Sequence, residues 1–545
     1  MTSRSLGHRA PLLWLVLPLM AGLAAGKAAG AEMRWGWLAA ALGAAGIAVW
    51  AAWRAPRWWA PTVTVAMLLA GVASYALHRA RLPAWDALPP REARVSLRLD
   101  RVFPQIDAKR VAGLATVVRA DAPLGDLAGQ RLYFSLGVGK GEPAPDRGAR
   151  VAAVGVIVTL PRDPPADSFD GYLAGAGMNF RLTRGRIGVV EREASAYRRW
   201  CARMGRKFSE ILGAGVAAKR PELTAVFRAM LLGQKHELSD EQDSLFMHSG
   251  TMHLFAISGL HIGVIAVGLQ ALLSLARVPR VVRFVVGLTA LWLYVDITGA
   301  APSAVRAFVM VALLQASLVL RTPANPLAAL AASALVVLLA WPLQFFSASF
   351  QMSYGIVAAL LLLGLPLGEA WLARWRWRAD LPKATWRWHQ HLFDWFRRGV
   401  VGAVAIGVAS TLVSAVTGVM FFGLFTPGAL LANLVLIPAA SVVILGGVAS
   451  LLAGLAGATA LSGLFNHAAV LVLLGIDASV RWFVRVPGMW HGARFAAPWV
   501  GAAALGVLVA ALLAGYAAGW RRERGGWWPP FAVVAVALIF GVKFG

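Results

Sequence analysis

Residues 251–275 read TMHLFAISGLHIGVIAVGLQALLSL. From Val264 onward the run is almost wholly apolar, as a helix crossing a bilayer must be over roughly 20 residues. Its first half carries His253, Ser258, Gly259, His261 and Gly263. A lipid-facing surface needs none of these. Polar and ionisable side chains at membrane depth are costly, and they turn toward a cavity or a partner. The stretch therefore assigns the fold class, a helical membrane protein, and asks what its polar residues meet.

The same kind of segment recurs along the chain. Hydrophobic residues make up 59% of the 545 and charged residues 14%, against about 45–50% apolar in a soluble domain. Apolar segments lie near 11–30, 36–53, 60–78, 253–275, 284–300, 303–320, 325–341, 345–367, 400–424, 428–453, 461–484, 497–519 and 527–545. They predict a polytopic α-helical membrane protein of about 13 spans, with the N-terminus inside and the C-terminus outside. Basic loops favour the cytoplasmic side, and the alternation puts Arg277, Arg280 and Arg283, Arg321, the stretch 371–398 and RRER at 521–524 on that side. Arg481, Arg485 and Arg494 fall on the other side, which leaves open an interfacial reading of 461–484 that would change the parity. The first segment also resembles a signal peptide, with Arg4 and Arg9 before it and AGA at 29–31. Its removal would leave the sidedness unchanged.

Residues 90–193 break the pattern. They hold 16 Lys/Arg and 12 Asp/Glu, and short alternating runs (RVSLRLDRVF, QRLYFSLGV, RVAAVGVIVTL) separated by Gly and Pro. That is the signature of a small antiparallel β domain, a sandwich or barrel, placed outside the cytoplasm by the topology. The expected organisation is N-terminal transmembrane helices over 1–80 and the β domain over 90–193. Amphipathic or interfacial helices follow over 195–250, then a central transmembrane domain over 251–455 and C-terminal transmembrane helices over 456–545.

The net charge is +26. Positive-inside loading explains most of it, and a polyanionic partner is compatible with it. The single cysteine, Cys201, excludes an internal disulfide and a cysteine-based metal site.

The candidate pathway residues are His253, Ser258, Gly259, His261, Asp296, Ser303, Arg306, Gln351, Ser353 and Asn433. On a straight helix His253 and His261 share a face, and Ser258–Gly259 permits close packing or a kink. Asp296 and Arg306 flank ITGAAPSAV and are placed to form an ion pair across that hairpin. The stretch 371–398, with seven Lys/Arg and six Trp, reads first as an aromatic belt with inside-positive charge. No Gly-x-x-x-x-Gly-Lys-Ser/Thr loop is present, so an energy source would be a separate protein. No cofactor, metal or catalytic residue is assigned. Two alternatives stay open: a membrane-embedded enzyme using Ser258 with a histidine, although AISGL is not a Gly-x-Ser-x-Gly elbow, and a transporter of a small polyanion.

Four motifs in order resemble the ComEC competence family, inner-membrane channels for imported single-stranded DNA. They are FRAMLLGQKHELSDEQDSLFMHSGTMHLFAISGLHIG (227–263), TGAAPSAVRAFVM (298–310), NPLAALAASALVVLLAWPLQFFSASFQMSYG (325–355) and FGLFTPGALLANLVLIP (422–438). DSFDGYLAGAGMNFRL at 167–182 resembles the end of that family's OB-like β domain. The resemblance spans roughly residues 10–455. It implies single-stranded DNA as cargo in natural transformation, a location in the inner (plasma) membrane, and partners such as a periplasmic DNA receptor and a cytoplasmic helicase-like ATPase. Homo-oligomerisation is left open. Many members continue into a metallo-β-lactamase-like domain with a His-x-His-x-Asp-His cluster. The nearest match here, His389-Gln-His391, lacks the Asp-His, and the chain stops at Gly545. No nuclease activity is therefore expected of this chain; either a separate nuclease cuts the other strand or this homologue does something narrower.

Overall fold

The computed structural model describes residues 10–544 apart from 31–33, 80–88, 104–108, 122–123, 140–143, 162, 256, 323–324, 376–384, 522 and 524. Arg4, Arg9, the end of the AGA site, and part of the stretch 371–398 lie outside the described residues. Each of the 13 apolar segments contains a helix, and eight helices are long and apolar enough to cross a membrane. Large apolar side chains such as Trp53, Leu275 and Phe540 are more than four-fifths exposed. Such an apolar surface calls for lipid around it.

Three helices come first: α1 (Leu13–Ala28), α2 (Arg34–Arg54) and α3 (Pro56–Arg79). α1 crosses α3 where Gly22 meets Gly71. A Cβ on Gly22 would lie 1.9 Å from the Leu68 carbonyl oxygen, so only glycine allows this approach.

The β domain follows as β1 (Arg91–Phe103), β2 (Arg110–Ala120), β3 (Arg131–Gly137), β4 (Arg150–Thr159) and β5 (Phe180–Arg192). They close into a five-stranded barrel in the order β1-β2-β3-β5-β4, consistent with an OB-fold. All pairings are antiparallel except β3 with β5. Strict alternation of buried and partly exposed residues along β3 and β4 sends Leu132, Phe134, Leu136 and Val151 into the barrel core. A short helix, α4 (Phe169–Gly175), precedes β5, capped by Ser168. α4 docks the barrel on the membrane domain, and a Cβ on Gly175 would lie 3.1 Å from Ser347.

Next come α5 (Ala196–Gly213), α6 (Pro221–Leu232) and α7 (Asp240–His248). α5 is amphipathic, burying Cys201, Phe208 and Leu212 while exposing Trp200. α6 lies inside the stretch 195–250 expected as amphipathic or interfacial helices, yet it is buried on nearly all sides, against Gly447 and Tyr294 among others.

The remaining helices are α8 (Gly259–Leu275), α9 (Arg280–Ile297), α10 (Pro302–Val319), α11 (Pro326–Ala340), α12 (Ala348–Ala359), α13 (Leu365–Arg374), α14 (Trp388–Phe422), α15 (Ala429–Leu455), α16 (Thr459–Arg485), α17 (Pro498–Ala517) and α18 (Trp528–Gly541). A π turn, Leu360–Gly364, joins α12 to α13, and Trp520 Nε1 donates to the Leu362 carbonyl there at 3.0 Å. Two apolar cores form. One gathers α5 to α10 with α15 and α16, and the other gathers α1 with α11, α12, the π turn, α14, α17 and α18.

Short strands β6 (Leu424–Phe425), β7 (His491–Phe495) and β8 (Val542–Phe544) form one small sheet. It ties the C-terminal ends of α14 and α18 to the segment between α16 and α17. The antiparallel pair α15–α16 therefore leaves the sheet and returns to it. Arg481 is neutralised by Asp477 and by Glu241 of α7, at 2.8 and 2.6 Å.

Candidate nucleic-acid interface

A chamber of about 1060 Å³ lies between the barrel and the ends of α1, α3, α9, α10, α11 and α14. Seven Lys/Arg line it against four Asp: Lys27, Arg98, Arg101, Arg131, Arg147, Arg198 and Arg306 against Asp100, Asp163, Asp167 and Asp296. Arg147 shows how the walls are joined. It precedes β4, and its Nε donates to the Asp100 carbonyl at 2.9 Å. Its Nη1 donates to Asp296 Oδ1 on α9 at 2.8 Å, and Arg198 of α5 donates to the same oxygen. Burial, then the charge of Arg198, pulls the Arg147 guanidinium below its ordinary value, while Asp296 opposes this. Burial likewise lowers Arg131. A guanidinium stays protonated at physiological pH all the same.

Aromatic rings stand beside these cations. Phe169 and Tyr172, at positions i and i+3 of α4, stack with centroids 6.0 Å apart and planes 20° apart. Both line the chamber and are more than two-fifths exposed. Tyr133 meets Phe169 edge-on at 5.1 Å, and Arg181 lies over the Phe169 ring at 5.4 Å. Phe134 and Phe180 are spent in the barrel core.

Of the ten candidate pathway residues, Asp296 and Arg306 line the chamber. They do not pair with each other, which corrects the expectation of an ion pair across the hairpin. Asp296 turns to the barrel and α5. Arg306 turns to neutral oxygens, donating to Gln344 Oε1 at 3.2 Å, to the Ser349 carbonyl at 2.7 Å, to Ser349 Oγ at 2.6 Å and to Ser353 Oγ at 3.2 Å. Ser353 is thus placed beside the chamber through Arg306.

His253 and His261 do not share a straight helix. His253 sits in a 3₁₀ turn, Met252–Leu254, and its Nδ1 contacts the Gly250 carbonyl at 3.3 Å. The α-helix begins only at Gly259. Ser258 is its N-cap, and His261 completes a capping box, its Nδ1 accepting the Ser258 backbone N–H at 3.3 Å and lying 3.1 Å from Ser258 Oγ. The polar pair satisfies a helix end that interrupts the segment. Non-helical backbone at this depth needs cover, and Ser303 of α10 supplies part of it, donating to the Ile257 carbonyl at 2.6 Å. His261 is fully buried. A Cβ on Gly259 would meet nothing within 4 Å, so close helix packing is not what this glycine provides. Gln351 Nε2 donates to the Phe345 carbonyl at 3.1 Å. Gln351 Oε1 and Asn433 Oδ1 are buried without a partner among the described residues. His389 and His391 pack against Trp388 and Trp386.

The barrel arginines and the Phe169–Tyr172 pair are absent from the sequence-derived candidates. The only signal for the aromatic pair was its i, i+3 spacing. For Arg147 and Arg198 no local signal exists, because their shared partner lies 149 and 98 residues away.

A family described as "Competence protein" matches residues 230–518. A stretch of 142 residues is 33% identical to ComE operon protein 3 of Bacillus subtilis (strain 168), covering 26% of this chain and 18% of that protein. The match thus spans under a fifth of the relative's length. No solved structure matches.

Proposed function

Because the chain belongs to the competence protein family, and so to DNA uptake, we propose that it conducts single-stranded DNA across the inner membrane during natural transformation, with the barrel outside the cytoplasm and the chamber as the entrance. The observation that carries this is the exposed Phe169–Tyr172 stack inside a chamber whose lining is net cationic. Bases stack on aromatic faces while phosphates follow cations, and this combination serves a single strand without selecting sequence. A strand carrying one charge per nucleotide cannot travel through lipid, so its path must be walled by protein and water. The barrel, held to α9 through Asp296 and to the Pro342–Phe346 turn through α4, forms the outer wall. A periplasmic receptor would deliver the strand, and a helicase-like ATPase would draw it inward.

Two experiments test the reading. Deleting the gene in a competent host should leave fluorescent DNA outside the inner membrane and abolish transformants. Phe169→Ala/Tyr172→Ala should weaken binding of a labelled single strand to the full chain in nanodiscs by at least tenfold, since each base–aromatic stack contributes about 1–3 kcal/mol. Normal transformation after the deletion sinks the reading and moves the weight to a small polyanion as cargo.

The membrane-enzyme alternative has one observation in its favour, the Ser258–His261 contact at 3.1 Å. The same ring nitrogen also accepts the Ser258 backbone N–H at 3.3 Å, which is the bond of a capping box. A serine-reactive probe that labels Ser258 would revive it.

A further inference from the structure

Arg306 carries a charge that no carboxylate among its described partners neutralises. Its residue is 1% exposed. All four of its acceptors, on Gln344, Ser349 and Ser353, are neutral. Its Nε is buried with no partner among the described residues. Asp296, ten residues away in sequence, is occupied by Arg147 and Arg198. A buried cation in this state is costly.

Its surroundings add positive charge. α10 begins at Pro302 and α12 at Ala348, and Pro302, Ser347 and Ser349 line the same chamber as Arg306. Each helix N-terminus presents roughly half a positive charge. The N-cap of α10, Ala301, offers no side-chain cap and N1 is Pro302, which has no N–H, whereas Ser347 caps α12 by accepting from the Phe350 N–H at 3.2 Å. Two helix N-termini and one uncompensated guanidinium therefore face one volume. An anion entering it would neutralise the guanidinium and be favoured by both helix dipoles.

We propose that Arg306 and the first turns of α10 and α12 form a binding site for one phosphate oxyanion on the chamber wall formed by the membrane domain. The hydroxyls of Ser349 and Ser353 bring further donors to the same place. A single cation binds a phosphodiester firmly enough to guide it and weakly enough to release it, as conduction requires. The phosphate belongs either to a DNA strand, which rests on the function proposed above, or to free phosphate, which does not.

The test uses the full chain in nanodiscs, wild type against Arg306→Gln and Arg306→Lys. Two probes are applied: a labelled single-stranded oligonucleotide, and inorganic phosphate at constant ionic strength. For Arg306→Gln we expect at least tenfold weaker strand binding at low salt. The slope of log K against log salt should fall by about 0.7, the share of one phosphate contact on a single strand. Arg306→Lys should keep most of that slope. Phosphate should raise the melting temperature of wild type and not of Arg306→Gln. If phosphate stabilisation is lost in the variant while strand binding is unchanged, the site stands, its ligand is free phosphate, and the strand reading of the chamber falls. An unchanged slope together with equal phosphate stabilisation overturns the site. Should Arg306→Gln fail to fold, wild type decides alone: a melting temperature no higher in phosphate than in chloride refutes the site.

Discussion

Arg147, ahead of strand β4 of the barrel, donates to Asp296 of the membrane helix α9 at 2.8 Å, across 149 residues of sequence. The Asp296 carboxylate also accepts from Arg198, so one buried acid holds the barrel and the amphipathic helix α5 to the membrane domain. Removing one partner of a buried pair costs about 3–5 kcal/mol. The arginine side chains here are 29% exposed, and solvent screening reduces that figure. Asp296→Asn should therefore destabilise the protein by roughly 2 kcal/mol in thermal or denaturant unfolding. In an Arg147→Gln/Arg198→Gln background the same change should cost much less. Equal losses in both backgrounds would show that the three residues are not coupled.

Cys201 reports on the same contact. It is buried on α5, and burial raises its thiol above the usual range, with the nearby Asp296 charge acting in the same direction. Only the thiolate reacts quickly. Maleimide should label the wild type slowly at pH 7.5 and label Asp296→Asn at least severalfold faster. Fast labelling of the wild type would mean that α5 is not held as described.

The capping box at the start of α8 separates a structural from a conducting role for His261. His261→Gln retains an N3 side chain able to reach the Ser258 backbone N–H and should be close to neutral in stability. His261→Leu should lose about 1 kcal/mol, as cap removals do. If both variants are stable and transform like wild type, the histidine has no part in the passage. A transformation defect in a stably folded His261→Gln would restore the pathway role.

Ser303 holds the interrupted segment through the Ile257 carbonyl. Ser303→Ala leaves that acceptor unpaired in a part-buried site, costing about 1–3 kcal/mol. Hydrogen exchange should rise locally over 255–262 and stay unchanged in the barrel. Uniform exchange across the chain would argue against a local clamp.

His248 gives a pH dependence. Its ring stacks on Trp490 with centroids 3.8 Å apart, and burial lowers its pKa below 6.5. The folded state thus favours the neutral ring. Its stability contribution is complete above pH 6.5 and is lost as the pH falls through the lowered folded value. His248→Phe keeps a stacking ring and removes the proton, so the melting temperature should drop less between pH 7.5 and pH 5.5 than in wild type. His236, also lowered by burial, leaves a residual slope. An identical drop in both proteins would remove His248 as a contributor.

Helical membrane class and a β insertion were legible in the sequence because both follow from local constraint. About 20 apolar residues in lipid satisfy their backbone as a helix. Alternation along RLYFSLG and RVAAVGVIVT sends every second side chain to one face of a strand. The family motifs were legible for the same reason, being contiguous. The candidate residues stand out in the sequence as polar groups in apolar surroundings, yet their partners do not. Asp296 and Arg306 look paired across a hairpin, and the fold turns one toward Arg147 and the other toward Ser349. His253 and His261 look aligned, and a helix break at Ser258 separates them. Which strands neighbour one another, which arginines meet over one chamber and where Phe169 and Tyr172 face are set by contacts between residues far apart in the chain. Only the packing of barrel on bundle decides them, because a charge or a ring takes its role from what lies across the space it faces, and sequence order does not encode that space.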